Sequence, residues 1–186
     1  MPGRPEPTTT PAPTPSIVFL CTGNAARSVI AGAALTHHLP SAVIATAGTL
    51  VIEGQPMSVR TRAALASVGL PAPEHRSRQA VEQELCHADL VVGLAPEHVA
   101  WVRREVPGVA ARTGTLRRLC RDLPSGRSSL TERVFALRLE DVDLEDWEEV
   151  VDPGGGETPA FEACAREIVA LIPVLAGALS AGRFSG

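Results

Sequence analysis

The segment Ile17-Val18-Phe19-Leu20-Cys21-Thr22-Gly23-Asn24-Ala25-Ala26-Arg27-Ser28 constrains the fold more than any other part of the chain. Its first four residues are apolar, β-branched or aromatic, and do not alternate with polar ones. A strand that reads this way is buried on both faces, which demands a parallel sheet with helices on either side. The small polar residues that follow make a turn, and Ser28 is placed to cap a helix over 28–39 that Pro40 ends. Further along, strands are expected at 43–45 and 88–93, a loop at 47–56, and helices at 58–68, 78–86 and 96–105. A fourth strand is expected within 109–116. Residues 161, 164, 168, 171, 172 and 175 are apolar at helical spacing, with Pro173 expected to kink or split that last helix. The order of elements predicts an α/β three-layer sandwich around a four-stranded parallel sheet, with ligands at the carboxyl ends of the strands.

Composition narrows the field. The 186 residues suit one domain, and a net charge of −4 with no Lys gives no global field for nucleic acid. No uninterrupted apolar run approaches the roughly 20 residues of a membrane span. Neither a nucleic-acid nor a membrane partner is therefore expected. Residues 1–15, with six Pro and no large apolar residue but Met1, are expected to form a solvated Pro/Thr-rich tail and not a signal peptide, with the catalytic domain at 16–186. Cys21, Cys86, Cys120 and Cys164 form no CxxC pair, so free thiols in a reducing, cytoplasmic setting are expected. No metal or cofactor is called for by any motif, and a Walker-type nucleotide loop is excluded because the chain has no Gly-Lys pair.

The loop 21–28 carries the chemistry. A thiol is followed by five small residues, a guanidinium and a hydroxyl at a helix start. Backbone N–H groups in such a loop and at a helix N-terminus bind anions. Small side chains let an oxyanion approach, and Gly23 is free to take positive φ. Arg27 offers a planar fork for two phosphate oxygens. The same positive surroundings favour the thiolate of Cys21, a nucleophile to which Ser28 can donate a hydrogen bond. The residue set is the one that covalent phosphoryl transfer through sulfur requires.

IVFLCTGNAARS resembles the signature of the low-molecular-weight protein tyrosine phosphatase family, an apolar strand followed by C-x-G-N-x-x-R-S. Three later segments resemble family landmarks in the same order: Thr46-Ala47-Gly48-Thr49, His75-Arg76-Ser77-Arg78-Gln79, and Asp152-Pro153. The resemblance spans most of residues 16–182. It implies that Cys21 forms a phosphocysteine and that Arg27 holds the phosphoryl oxygens together with the N–H groups of Thr22, Gly23, Asn24, Ala25, Ala26 and Ser28. It implies further that Asn24, Ser28, Thr46 and His75 support the loop, and that Asp152 is the general acid and then the base. The implied substrate is a phosphorylated protein or a small phosphate monoester.

Several departures from the family pattern bear on the site and its surroundings. Gly154-Gly155-Gly156 follow Asp152-Pro153 where aromatic residues often wall the cleft, so Leu50, Ile52 and Trp147 are the candidate walls, and the three glycines predict a mobile acid loop. Ala26 stands where many members carry a second loop Cys. The stretch 124–151 is longer than usual, with an added helix expected within 130–139 and the acidic run 141–152 read as a solvated face except for Asp152. Two other functions fit the same loop. One is an arsenate reductase that hands oxidised Cys21 to a small-thiol reductant. The other is a non-catalytic phosphate-binding module, which the joint presence of Cys21, Arg27 and Asp152 disfavours.

Overall fold

A computed structural model describes residues 14–180 of the chain. The expected tail therefore lies outside the described residues except at its end. There Pro15 is buried and its carbonyl accepts the Val43 N–H at 2.9 Å, so Pro15 packs with the sheet rather than with a solvated tail.

Four strands form one sheet: β1 (Ser16–Cys21), β2 (Val43–Gly48), β3 (Leu90–Gly93) and β4 (Thr113–Thr115). Their order is β2-β1-β3-β4 and all pairs are parallel, as expected for an α/β sandwich. The continuous apolar run of β1 divides by pleat. Ile17 and Phe19 enter the core shared with α1 (Arg27–His38), α2 (Val59–Ser67), α5 (Leu116–Asp122) and α7 (Thr158–Ser180). Val18 and Leu20 enter the opposite core, under α3 (Glu82–His87) and α4 (Pro96–Glu105). A strand with no polar alternation is what two covered faces require.

Several expectations are corrected. Ser28 does not cap α1; Ala26 holds the N-cap position and no side chain caps it. Residues 47 and 48, expected in a loop, complete β2, which also takes in Thr46. The helix expected from 78 begins only at Glu82, because Gly48 N–H donates to the Arg78 carbonyl (3.0 Å) and Ala80 N–H to the Gly48 carbonyl (2.8 Å), which holds 78–80 extended. The fourth strand shrinks to three residues between a 3-10 turn (Pro107–Arg112) and the unforeseen helix α5, which Thr115 caps by accepting from the Arg118 N–H. Pro173 does not split α7, which runs unbroken for 23 residues. Its ring lies on the exposed face, where water can meet the carbonyl of Val169 that loses its partner. By length and composition α7 could cross a bilayer, yet Phe161, Cys164, Ile168, Ile172, Leu175 and Leu179 are buried against the sheet-side core.

In the long stretch before Asp152 the acids Asp141, Asp143, Glu145, Asp146 and Glu149 are exposed as expected, and Glu148 is the exception. The added helix α6 (Leu130–Phe135) opens with a capping box from Ser129 and Glu132. Arg133 ties it to the Ala178 carbonyl at 2.7 Å, near the C-terminal end of α7. That end is about 25 Å along the helix from Phe161 at the cleft, so α6 does not shape the cleft rim. Glu148 is fully buried: its carboxylate takes hydrogen bonds from Arg118 Nε (3.0 Å) and Nη2 (2.5 Å) and from the Thr115 hydroxyl (2.6 Å). Burial opposes its ionisation, but these donors hold the carboxyl below its ordinary pKa. Trp147 packs under Arg121 (4.1 Å) and Arg118 (5.4 Å), away from the cleft. Replacing Glu148 with Gln removes the closest and only buried counter-charge of the Arg118 guanidinium and leaves it the Asp122 and Glu145 carboxylates at 3.6 Å, a change that costs about 3 kcal/mol in comparable settings. Urea denaturation of Glu148→Gln should show that loss, and a loss below about 1 kcal/mol would contradict a load carried by this pair.

Candidate active site

Strand order reverses between β1 and β3, so the loops that follow them face a common crevice at the carboxyl edge of the sheet. The loop after β1 is built around Asn24, which adopts a left-handed conformation at φ 49°. Asn tolerates this region better than most side chains. The sequence suggested Gly23 for that role; instead, the position of a Cβ on Gly23 faces open space.

Asn24 is fully buried, and every polar atom of its side chain is used. Its Nδ2 donates to Ser28 Oγ and to Thr46 Oγ1, each at 3.0 Å. Its Oδ1 accepts the Arg78 N–H at 3.0 Å. The Asn24 carbonyl contacts His75 Nε2 at 2.6 Å and accepts the Ser77 hydroxyl at 2.9 Å. The expected support residues Asn24, Ser28, Thr46 and His75 are thus brought together, and Ser77 joins them unforeseen. The neighbouring Ala25 carbonyl accepts the hydroxyl of Thr61, from the start of α2, at 3.0 Å. Gly48 is required by close approach: a Cβ there would lie 2.5 Å from the Thr22 carbonyl and 2.9 Å from the Asn24 nitrogen. Gly32 plays a similar part under Thr46, whose Cγ2 would be 2.7 Å from an added Cβ.

Cys21 and Ser28 meet at 3.0 Å between Sγ and Oγ. Because Ser28 Oγ accepts from Asn24, its proton is free to point at the sulfur. The first turn of α1, uncapped by any side chain, leaves its N–H groups available to an anion.

Arg27 is 2 % exposed and spans the crevice floor. Nη1 donates to the Val150 carbonyl (3.1 Å), while Nη2 donates to Asp152 Oδ2 (2.7 Å) and to Thr22 Oγ1 (3.4 Å). Asp152 Oδ1 accepts the Gly154 N–H at 2.9 Å, so the chain turns back on the acid at the first glycine of the run. The cleft, of about 330 Å³, is lined by the loop together with Ser58, Thr61, Asp152, Gly154 and Phe161. Phe161 is the one aromatic among its described lining residues. Leu50 and Ile52, the candidate walls, stand 77 % and 74 % exposed outside that lining, and Trp147 is absent from it.

Two residues of the crevice carried no sequence signal beyond following β3. Glu97 Oε1 lies 3.9 Å from Arg27 Nη2, and His98 Nε2 lies 3.1 Å from Thr22 Oγ1. Among the described residues lining the cleft, Cys21 is the single thiol. Cys86 is exposed, and burial raises Cys120 to about 11 and Cys164 to about 12. A disulfide relay from Cys21 therefore has no partner in the cleft wall.

A buried strand, a braced anion-receiving loop with a thiol at its mouth, and a carboxylate on the same Arg define a phosphatase of the α/β, cysteine-dependent class. Residues 16–122 match the family model described as low molecular weight phosphotyrosine protein phosphatase, and the chain belongs to that family. The chain is 28% identical over 161 residues to a protein-arginine-phosphatase of Geobacillus stearothermophilus, covering 86% of this chain and 93% of that protein. It is 29% identical over 98 residues to the low molecular weight protein-tyrosine-phosphatase Etp of Escherichia coli K12, covering 53% and 66%. The solved structure of the YwlE arginine phosphatase from Geobacillus stearothermophilus superposes with a TM-score of 0.68 at 26% identity, over 87% of this chain and 90% of that one.

Burial, and then the positive Arg27 guanidinium, lower the His98 pKa from 6.5 to about 3. Between those values the unfolded chain binds a proton that the folded chain does not, so stability is full above the unfolded value and falls as pH drops. From pH 7 to pH 5 the wild type should lose about 2 kcal/mol more than His98→Leu in urea denaturation at the two pH values. Equal losses would contradict a neutral buried His98.

Proposed function

We propose that the chain is a phosphoprotein phosphatase that works through a phosphocysteine on Cys21. The observation that supports this most is the convergence of Cys21, Arg27 and Asp152 on one cleft, with Arg27 holding the acid at 2.7 Å. An incoming phosphoryl dianion competes for Arg27 Nη2 and for the loop N–H groups, and it frees Asp152 to face the leaving atom, where it acts in its protonated form. The Cys21 thiolate then attacks phosphorus, the bond to the leaving atom breaks, and Asp152 gives its proton to that atom. Water next attacks phosphorus while Asp152 takes its proton, the S–P bond breaks, and inorganic phosphate forms as the thiolate leaves toward the Ser28 hydroxyl. Charge at phosphorus is met throughout by Arg27 and backbone N–H groups. With phosphorylated peptide or aryl phosphate, Cys21→Ser should show no turnover, and Asp152→Ala should fall by about a hundredfold to a thousandfold in kcat. Turnover that survives in purified Cys21→Ser would overturn the reading.

A second reading of the substrate, protein phosphoarginine, is favoured by the charges at the mouth. Two carboxylates, Asp152 and the exposed Glu97, lie within 4 Å of Arg27 Nη2, and among the described residues lining the cleft Phe161 is the one aromatic that could hold a phenyl ring. A leaving group that carries a guanidinium is drawn to that field, whereas the uncharged aryl group of an aryl phosphate gains nothing from it. Glu97→Gln should lower kcat/KM for a phosphoarginine peptide about tenfold, the scale of one exposed charge contact. Hydrolysis of the matching phosphotyrosine peptide should be unchanged or faster. Parallel losses on both peptides would remove Glu97 as a selector.

A further inference from the structure

His98 is fully buried at the first turn of α4, directly across the crevice from the loop. Its Nε2 faces two oxygens, Thr22 Oγ1 at 3.1 Å and Glu97 Oε1 at 3.5 Å. Its Nδ1 is buried with no hydrogen-bond partner. A neutral imidazole carries one proton. Placed on Nε2, that proton meets both oxygens; placed on Nδ1, it meets nothing and leaves a buried donor unpaired. The neighbourhood therefore selects the Nε2–H form. Thr22 Oγ1 then accepts from His98 and, at 3.4 Å, from Arg27 Nη2. With both lone pairs engaged, the Thr22 proton must point in a third direction, and Thr22 lines the cleft.

We propose that the Thr22 hydroxyl is a donor to the bound phosphoryl group, and that His98 is the positioning residue that turns it there. This adds a side-chain donor to a loop whose contribution at Thr22 was otherwise its backbone N–H. It rests on the phosphatase reading above for its catalytic readout. The His98 ring does not exchange protons with substrate; it occupies two lone-pair directions jointly with Arg27, so that one direction remains.

The test is a double-mutant cycle on the full chain with Thr22→Val, His98→Leu and their combination, alongside Thr22→Ser and His98→Gln. Two readouts are taken: kcat/KM with aryl phosphate, and the affinity for inorganic phosphate by calorimetry, which requires no turnover. A hydrogen bond to a charged acceptor is worth about tenfold or more. Thr22→Val should therefore lose about tenfold in both readouts, and Thr22→Ser should stay within about twofold. His98→Leu should lose a similar factor with Thr22 present and almost nothing when Val occupies position 22. His98→Gln, which offers an N–H close to that of Nε2, should recover most of the loss with the pH profile of the wild type. Full and additive losses, no rescue by Gln, or a pH limb that disappears in His98→Gln would each overturn the proposal. Coupled loss of phosphate affinity without any turnover in the wild type would overturn the catalytic reading and leave this inference standing. Turnover without coupling would do the reverse.

Discussion

Asn24 is the residue on which the cleft depends. Its left-handed backbone turns the chain from β1 back toward α1, and five hydrogen bonds through its side chain and carbonyl hold that turn. The partners come from β2 (Thr46), the segment after α2 (His75, Ser77, Arg78) and α1 (Ser28). A buried amide with all its donors and acceptors met costs little to bury, while loss of one partner leaves a polar atom stranded. The loop is thus set before any ligand arrives, and the orientation of Ser28 toward Cys21 follows from the same amide. A receptor fixed in advance spends no binding energy on reorganisation during the reaction.

Arg27 connects that loop to the rest of the chain. Its guanidinium is almost wholly buried, yet it reaches Val150 and Asp152, more than a hundred residues away in sequence. The segment that brings them is anchored from behind. Val150 N–H donates to the Leu94 carbonyl at 2.8 Å, and Glu148 is locked to Arg118 and Thr115 at the end of β4. Charge on Glu148 therefore acts on the cleft indirectly, by fixing where the chain that ends in Asp152 runs. Glu97 and His98 enter from the other side of the crevice, on the first turn of α4, so the phosphoryl pocket draws on both halves of the sheet.

Much of this was legible in residues 17–28. The unalternating run of β1 implied a doubly covered parallel sheet, and the spacing of Cys21, Arg27 and Ser28 implied an anion loop in front of a helix. Thr46, His75 and Asp152 were found through the family landmarks. The losses have physical causes. The three-residue strand β4 is too short to show a period, and its capping residue Thr115 also opens α5. Pro173 sits on the solvent side of α7, where its missing N–H is cheap. Glu148 reads as one more acid in an acidic run, and only its distant partner Arg118 distinguishes it. His98 and Glu97 have no local pattern; they matter because β3 ends beside β1. That adjacency is a fact of topology, and no window of sequence contains it.

The central claim is that the phosphoryl group passes through the Cys21 sulfur. The most direct measurement is rapid acid quench of the Asp152→Ala variant during turnover, followed by peptide mass spectrometry to locate the phosphoryl group. The account predicts that it resides on Cys21, accumulates within the first turnover and decays to inorganic phosphate as the reaction proceeds. A phosphoryl group on any other residue, or turnover with none on the protein at any quench time, would contradict it.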